Sequence, residues 1–123
     1  MTTIYERNYN AMEKLGLLKV ENHVKLHSEG FMDLVVERLS EEIISLAHYG
    51  EQNGDLMSDP EMEIKIYPDT RMVEALTIRM DYTGYSASVY PAPGKVDLYQ
   101  KKDMNQFLSI WLRNLKQQGF KHI

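Results

Sequence analysis

The hydrophobic positions repeat with a helical period at both ends of the sequence and with a strand period between them. Near the start, the segment Thr3-Ile4-Tyr5-Glu6 has the spacing of a capping box, in which the first and fourth residues satisfy each other's free backbone groups. Met12 and Leu15 continue the apolar face of Ile4, and Gly16 is a typical helix stop. We therefore predict a helix over residues 3–15.

The middle of the chain alternates apolar and polar residues, which is typical of strands with one buried face. Residues 17–29 give a weaker pattern, which we interpret as a linker followed by a short strand, and residues 95–99 form a short extended piece. The Thr83-Gly84 pair is a hairpin signal between two of the strands. The alternation predicts strands over residues 31–37, 42–49, 62–67, 72–82 and 85–90.

A second helix is predicted from Lys101 onward. An apolar stripe with the spacing i, i+3, i+4 and i+7 runs from Met104 to Leu115 and includes Trp111. Gly119 ends this helix, and Phe120 is placed to fold back on the last turn. Strands in hairpin order between two terminal helices indicate an α+β fold, with an antiparallel meander of about five strands and both helices packed on it. We expect residues 1–123 to form a single domain.

Composition adds few constraints. The chain has 123 residues, of which 43% are hydrophobic, and it contains no cysteine. A chain of this size can bury a sufficient core without disulfides or a metal, and the missing cysteine excludes thiolate chemistry. Since there is no apolar signal-peptide core and no run long enough to span a bilayer, we expect a soluble cytoplasmic protein without a membrane association.

Charge is distributed unevenly along the chain. Residues 1–94 carry 8 basic and 16 acidic side chains, whereas residues 95–123 carry 6 basic and 2 acidic ones. Such a division is typical of a surface that binds an anionic partner, or of one face that complements another within a dimer. The second case is the commoner one.

The segment 47–62 is the clearest candidate for function. Its glycines and Pro60 indicate a bent loop between two strands, and polar side chains on such a connection are where binding or catalysis is first sought. The alternatives are a structural loop, a surface that binds a partner, and a site for a hard cation such as magnesium or calcium. The candidate binding residues are His48, Tyr49, Glu51, Gln52, Asn53, Asp55 and Asp59.

His48 is the one titratable group near neutral pH in this segment. A histidine three residues before a carboxylate, here Glu51, can act as a general base or a ligand. More commonly such a histidine is packed and hydrogen-bonded. No serine lies in a nucleophile-elbow context, and no phosphate-binding glycine loop or dinucleotide fingerprint is present, so we predict no cofactor.

The last helix carries a basic face. A row of cations can bind a phosphate backbone, but cations near a helix C-terminus also offset the helix dipole, and a charged outer face is common. A solvated face, a contact with a protein partner and a nucleic-acid site therefore remain open. The residues of this basic face are Lys101, Lys102, Arg113 and Lys116.

Four stretches give a resemblance to a known family: 48–62, Glu74-Ala75-Leu76-Thr77, Val89–Val96 and Phe107–Phe120. On these, and most specifically on Tyr49–Asp55, the chain resembles a small uncharacterised domain family of bacterial mobile elements, over about residues 30–120. The resemblance implies a setting in conjugative elements or phages. It implies no established activity, cofactor or catalytic residue.

We expect a non-enzymatic interaction module that contacts a protein partner through the 50–62 segment, with a homodimer as one form of that contact. The first alternative is a metal-assisted hydrolase or nuclease that uses His48, Glu51, Asp55 and Asp59. The second is nucleic-acid binding through the basic helix, which the acidic body of the chain opposes.

Overall fold

The computed structural model describes residues 2–123, apart from the side chains of residues 51 and 52. The described chain forms two helices and seven strands. In chain order they are α1 (Ile4–Lys14), β1 (His23–His27), β2 (Leu34–Arg38), β3 (Ile43–Gln52), β4 (Asp55–Tyr67), β5 (Met72–Met80), β6 (Tyr85–Ser88), α2 (Leu98–Gln117) and β7 (Lys121–His122).

All seven strands belong to one antiparallel sheet in the order β6-β5-β4-β3-β2-β1-β7. The predicted α+β class, with an antiparallel sheet and two helices, is confirmed. The predicted number of about five strands is wrong. β7 has only two residues and is held by pairing with β1 (His27 opposite Lys121), and two residues are too few to produce a period in the sequence.

Both helices lie on one face of the sheet. Every second residue of the central strands points to that face, and α1 and α2 supply their buried stripes from the other side. The other face of the sheet carries charged and polar side chains such as Glu37, Ser45 and Glu63, with Val35 and Ile43 among them. Buried side chains of this core include Met12, Leu34, Val36, Ile44, Leu46, Met62, Ile64, Val73, Met104, Leu108 and Leu115.

The segment 47–62 is not a loop, and this part of the prediction is wrong. β3 continues to residue 52, β4 begins at residue 55, and only Asn53 and Gly54 form the turn, with φ of 55° and 83°. Two successive residues of positive φ are the geometry of a tight hairpin turn, for which Asn-Gly is a favoured pair. A register shift between Ala47 and Tyr49 accommodates the stretch around Pro60, whose preceding peptide bond is cis.

The helix ends follow the predicted signals. Thr3 and Glu6 form the capping box, and Gly16 follows α1 with a φ of 75°. The backbone N–H of Phe120 donates to the carbonyl of Leu115 at 3.2 Å, so this residue does fold back on the last turn of α2. Residues 98 and 99 are helical instead of extended, because the Asp97 side chain accepts from the N–H of residue 100 at 3.1 Å and starts α2 earlier.

Asn105 connects α2 to both α1 and β5. Its Oδ1 accepts from the N–H of Ala75 at 2.9 Å, and its Nδ2 donates to the carbonyl of Lys101 at 2.7 Å. Its own carbonyl accepts from Nδ2 of Asn8 at 3.1 Å, and both asparagines are buried. Ala75 lies two residues beyond the last pair between β5 and β6. A side chain of the helix therefore takes the place of a missing strand.

We predict that Asn105→Ala lowers the free energy of unfolding by about 1–3 kcal/mol, because the buried N–H of Ala75 loses its acceptor. Urea denaturation monitored through the Trp111 fluorescence measures this change. The matched control is Gln106→Ala, the next residue on α2, which is exposed and should change stability by less than about 0.5 kcal/mol. Equal effects of the two substitutions would contradict the prediction.

Candidate functional site

The described side chains of the 47–62 segment do not meet in one cleft, because successive residues of a strand point to opposite faces. His48 points to the helix-covered face, where it contacts Trp111 and Phe120. Tyr49 points to the open face and contacts Glu61. The histidine and this carboxylate therefore lie on different sides of the sheet.

On the open face, Arg79 joins two carboxylates into a network. Its guanidinium lies 3.0 Å from Glu61 Oε2 and 3.1 Å from Asp81 Oδ1. Asp81 Oδ2 also accepts from the N–H and the hydroxyl of Ser58, at 2.8 and 3.0 Å, and these bonds hold the pKa of Asp81 below its ordinary value. No local pattern in the sequence indicates this network, because β4–β5 pairing brings Ser58 and Glu61 beside Arg79 and Asp81, which lie 18 or more positions later.

Tyr49 belongs to the same network. Its hydroxyl donates to Glu61 Oε1 at 3.1 Å. Burial, and then the charge of Glu61, raise the pKa of Tyr49 to about 12. The carboxylates of Glu61 and Asp81 are therefore both already paired. In the part of the chain that the structure describes, no three His, Asp or Glu side chains form a group suited to a metal ion.

The other predicted residues lie at the end of the hairpin. Asn53 and Asp55 are exposed at the turn, and Asp59 is partly exposed beside the register shift. The side chains of Glu51 and Gln52 lie outside the described residues.

Lys101 differs from the other three residues of the predicted basic face, because it points inward. Its Nζ lies 3.0 Å from Oε2 of the buried Glu74, whereas Lys102, Arg113 and Lys116 are exposed on α2. The Glu74 carboxylate also accepts from the hydroxyls of Tyr67 and Tyr90, at 3.0 and 2.5 Å. This cluster attaches the start of α2 to β5.

The Glu74 cluster is fixed in one protonation state at neutral pH. Burial alone would raise the pKa of Glu74, but the hydrogen bonds from Tyr90, Lys101 and Tyr67 outweigh burial and lower it. Burial and the bond to Glu74 raise the pKa of Tyr67 to about 12. Burial would lower the pKa of Lys101, but its contacts with Glu74 and Tyr90 raise it. None of these groups is prepared to exchange a proton near pH 7.

His48 is committed on both ring nitrogens. Trp111 Nε1–H donates to His48 Nε2 at 3.1 Å, and His48 Nδ1 lies 3.1 Å from the Met32 carbonyl and 3.3 Å from that of Asp33. Because Nε2 accepts, the ring carries its proton on Nδ1 and is neutral. Burial holds its pKa below the ordinary value, although the backbone contacts oppose this.

An apolar groove lies beside this histidine, between α2 and the β3–β4 hairpin. Its volume is about 280 Å³. Three side chains on its rim are about half exposed: Phe31 at 48%, Met32 at 42% and Ile110 at 50%. We name it the aromatic groove, and its lining residues are Phe31, Met32, His48, Pro60, Phe107, Ile110, Trp111, Asn114 and Gln118.

Gly50 of β3 lies close to Met32, a residue of the aromatic groove, and to Tyr82. A Cβ at position 50 would lie 2.7 Å from the Tyr82 hydroxyl and 2.9 Å from the Met32 sulfur. Both distances are too short for real atoms, so any larger residue at this position would displace the ends of these two side chains. The sequence predicts a bend at Gly50, whereas the structure places this residue within β3, where its missing side chain leaves space for Tyr82 and Met32.

A larger cavity of about 500 Å³ lies by the other end of the sheet, between α1 and the turn from β2 to β3. Arg38 is its most prominent polar group. The guanidinium donates to the carbonyls of Leu18, Val20 and Glu41 at 2.9 to 3.1 Å, so it fastens loops together and offers little to a ligand.

Comparison with known families gives one assignment. Residues 6–121 match the model of the family described as Domain of unknown function (DUF6908). The chain belongs to this family. The match covers nearly the whole chain, so the expected boundary at about residue 30 is wrong and α1 is part of the DUF6908 domain. No curated protein and no solved structure matches the chain. Within the described residues, neither helix combines the length and the hydropathy that crossing a bilayer requires.

We predict that His48 makes the DUF6908 domain less stable at mildly acidic pH. Its native pKa lies below the unfolded value of about 6.5, so the unfolded chain binds a proton first. The contribution of His48 to stability is therefore complete above about pH 6.5 and is lost as the pH falls towards the native pKa. Urea denaturation between about pH 7.5 and pH 5 measures this loss, and His48→Gln should remove that part of the slope.

His23→Gln is the control, since His23 is an exposed residue of β1. It should keep the wild-type dependence on pH. If His48→Gln and wild type gave parallel curves, the assignment of a neutral, committed His48 would be wrong.

Proposed function

We propose that the DUF6908 domain is a non-enzymatic protein-interaction module and that the aromatic groove binds apolar side chains of a partner protein. The observation that carries this proposal is the exposure of Phe31, Met32 and Ile110 around one recess. Contiguous exposed apolar side chains on a folded surface are typical of binding sites. The β3–β4 hairpin, which contains residues 50–62, forms one wall of the recess.

The base of the groove is rigid. The hydrogen bond between His48 and Trp111 fixes both rings, and the rings of Phe120 and Phe107 lie 5.5 Å from His48 and 6.2 Å from Trp111. Rigid aromatic surfaces bind with a small loss of conformational freedom. The groove therefore offers a preformed site in which only rim side chains need to adjust.

The chemistry of the surrounding groups also favours binding over catalysis. Both nitrogens of His48 are engaged, so this residue would have to break its bond with Trp111 before it could act as a base. Glu61 and Asp81 are paired with Arg79 on the opposite face. A metal-assisted hydrolase that uses His48 with the carboxylates of the hairpin receives no support from this arrangement.

The biological setting that we propose, the cytoplasm of a bacterium that carries a conjugative element or phage, rests on the sequence resemblance alone. Within that setting, we propose that the domain acts by binding another protein. We propose that this partner presents aliphatic or aromatic side chains, because the lining of the groove is apolar except for Asn114, Gln118 and His48.

We predict that peptides selected from a displayed random library against the intact domain are rich in large apolar residues, and that Ile110→Glu weakens their binding at least tenfold, or about 1.4 kcal/mol. The reason is that a carboxylate at the rim would have to lose its hydration when an apolar side chain enters. Isothermal titration calorimetry measures the affinities.

Leu39→Glu is the matched control. Leu39 lies in the turn between β2 and β3 and is 49% exposed, almost the same as Ile110, but it does not line the groove. This variant should bind the selected peptides like wild type. The proposal fails if no apolar peptide is enriched, or if Leu39→Glu and Ile110→Glu weaken binding equally.

A second candidate function is supported by a basic groove between α1 and α2. Arg7 and Lys14 on α1 and Lys116 on α2 line a cavity of about 350 Å³ with Asn10 and aliphatic side chains, and Arg113 stands one turn before Lys116. Among the described side chains, no carboxylate forms an ion pair with any of these four cations. We propose nucleic-acid binding here as the alternative, opposed by the net charge of −4.

If this groove binds nucleic acid, Arg113→Ala combined with Lys116→Ala should weaken binding of a single-stranded oligonucleotide and reduce the slope of log affinity against log salt by about 1–2. Fluorescence anisotropy at several salt concentrations measures both quantities. Lys95→Ala serves as the control, because it removes a cation that does not line the basic groove. Binding that is absent, or independent of salt, would eliminate this alternative.

A further inference from the structure

Exposed apolar side chains are concentrated between residues 85 and 99. Leu98 and Tyr99, at the start of α2, are each 72% exposed, and of the large apolar residues that the structure describes only Ile123 is more exposed. An apolar cluster of this kind on a folded surface marks a contact with another molecule. Its members are Tyr85, Tyr90, Val96, Leu98 and Tyr99.

The cluster lies beside an open edge of the sheet. β6 is the outermost strand on its side and pairs only with β5. The N–H of Asp97 donates to the carbonyl of Val89 at 2.8 Å, which places the first turn of α2 next to the end of β6. Backbone and apolar side chains are therefore exposed together.

The register shows which backbone groups of β6 are free to pair. The N–H of Val89 donates to the carbonyl of Leu76 at 2.9 Å, so Val89 and every second residue before it turn towards β5. The N–H and C=O groups of Ser86 and Ser88 then point outward. In the described part of the chain, no other element donates to them or accepts from them.

β6 also lacks the features that normally prevent strands from pairing at an edge. It has no charged residue and no proline within its four residues, Tyr-Ser-Ala-Ser. The opposite edge is different, because β7 has two residues, of which Lys121 is charged. Only the β6 edge is left both uncharged and flanked by exposed apolar residues.

We propose that two copies of the chain associate through antiparallel pairing of β6 with β6, so that their sheets become continuous and the apolar clusters pack across the twofold axis. With the axis at Ala87, Ser86 of one copy lies opposite Ser88 of its partner, and four backbone hydrogen bonds form. Such an interface is isologous and closed, which is the commonest form of homodimer. It is distinct from the aromatic groove and does not depend on the proposed function.

The local charge allows a second copy to be the occupant. The whole chain has a net charge of −4, which would make copies repel one another. Residues 82–100 contain only two charged side chains, Lys95 and Asp97, of opposite sign. The surface is locally neutral, so copies can approach here without repulsion. Pro91 follows the strand and limits the edge to a short segment, which an equally short strand matches.

Cysteine cross-linking tests the register directly, since the chain has no cysteine of its own. In the proposed pairing, Ala87 faces Ala87 of the partner in a non-hydrogen-bonded pair with Cα atoms about 4.5 Å apart, within the range for a disulfide. Ala87→Cys should therefore oxidise to a covalent dimer much faster than Leu39→Cys, the surface control. Equal rates would overturn the proposal.

Sedimentation equilibrium on the full chain provides the second measurement. Wild type should reach twice its mass of 14.4 kDa at high concentration. Leu98→Glu combined with Tyr99→Glu should raise the dimer dissociation constant at least about tenfold, because carboxylates would then lose their hydration where apolar side chains are buried by the partner. Leu39→Glu should leave this constant unchanged. A monomer at every concentration would overturn the proposal.

Ile110→Glu separates this inference from the proposed function. If it abolishes self-association while the Leu98/Tyr99 double variant does not, the copies meet at the aromatic groove and the β6 proposal is wrong. If it affects only peptide binding, the two surfaces are independent.

Discussion

The attachment of α2 to β5 determines where both candidate surfaces lie. β5 extends past the end of β6, so its backbone at Ala75 has no neighbouring strand on the side away from β4, and Asn105 supplies an acceptor from the helix. One turn earlier, Lys101 pairs with the buried Glu74 of the same strand. A buried charge or N–H that is left unpaired costs far more than its pairing contributes. These two contacts therefore fix α2 in one position along the strand.

From this position the rest of α2 follows by its own geometry. At about 1.5 Å per residue, a helix fastened at 101 and 105 carries residue 111 about 9 Å beyond Asn105. There Trp111 meets His48 at the end of the region where β2 flanks β3. At this point the sheet continues beyond the core that the helices cover. The aromatic side chains of α2 meet the β3–β4 hairpin here, and the aromatic groove lies between them. A small shift of α2 at residues 101 and 105 would therefore also move the α2 side chains that line the aromatic groove.

The elements that could be predicted from the sequence are those that a local pattern of side chains is enough to identify. The stripe from Met104 to Leu115 and the capping box at Thr3 and Glu6 are local signals, and the structure confirms both. The end of the hairpin is not identified by alternation, because residues 53–56 are all exposed and include the apolar Leu56, so apolar and polar residues there do not separate into a buried and an exposed face. The Asn53-Gly54 pair was the signal that could have identified it.

The candidate site was harder to predict, because its parts are distant in sequence. His48 was identified as a candidate, but its partner Trp111 is 63 residues away, and only the packing of α2 brings them together. Likewise the acidic residues of the hairpin could not be assigned a role until β5 placed Arg79 beside Glu61. Strand alternation then places His48 and Glu61 on opposite faces of the sheet. The number of carboxylates in the segment does not reveal this separation.

The two proposed surfaces lie at opposite ends of α2, and this arrangement has a physical consequence. Leu98 and Ile110 are twelve residues apart, or about 18 Å along the helix axis. Pairing along β6 would therefore leave the aromatic groove of each copy open and would hold two grooves at a fixed separation on one continuous sheet. A partner with two apolar segments could then bind both, and the second contact would form at a high effective concentration.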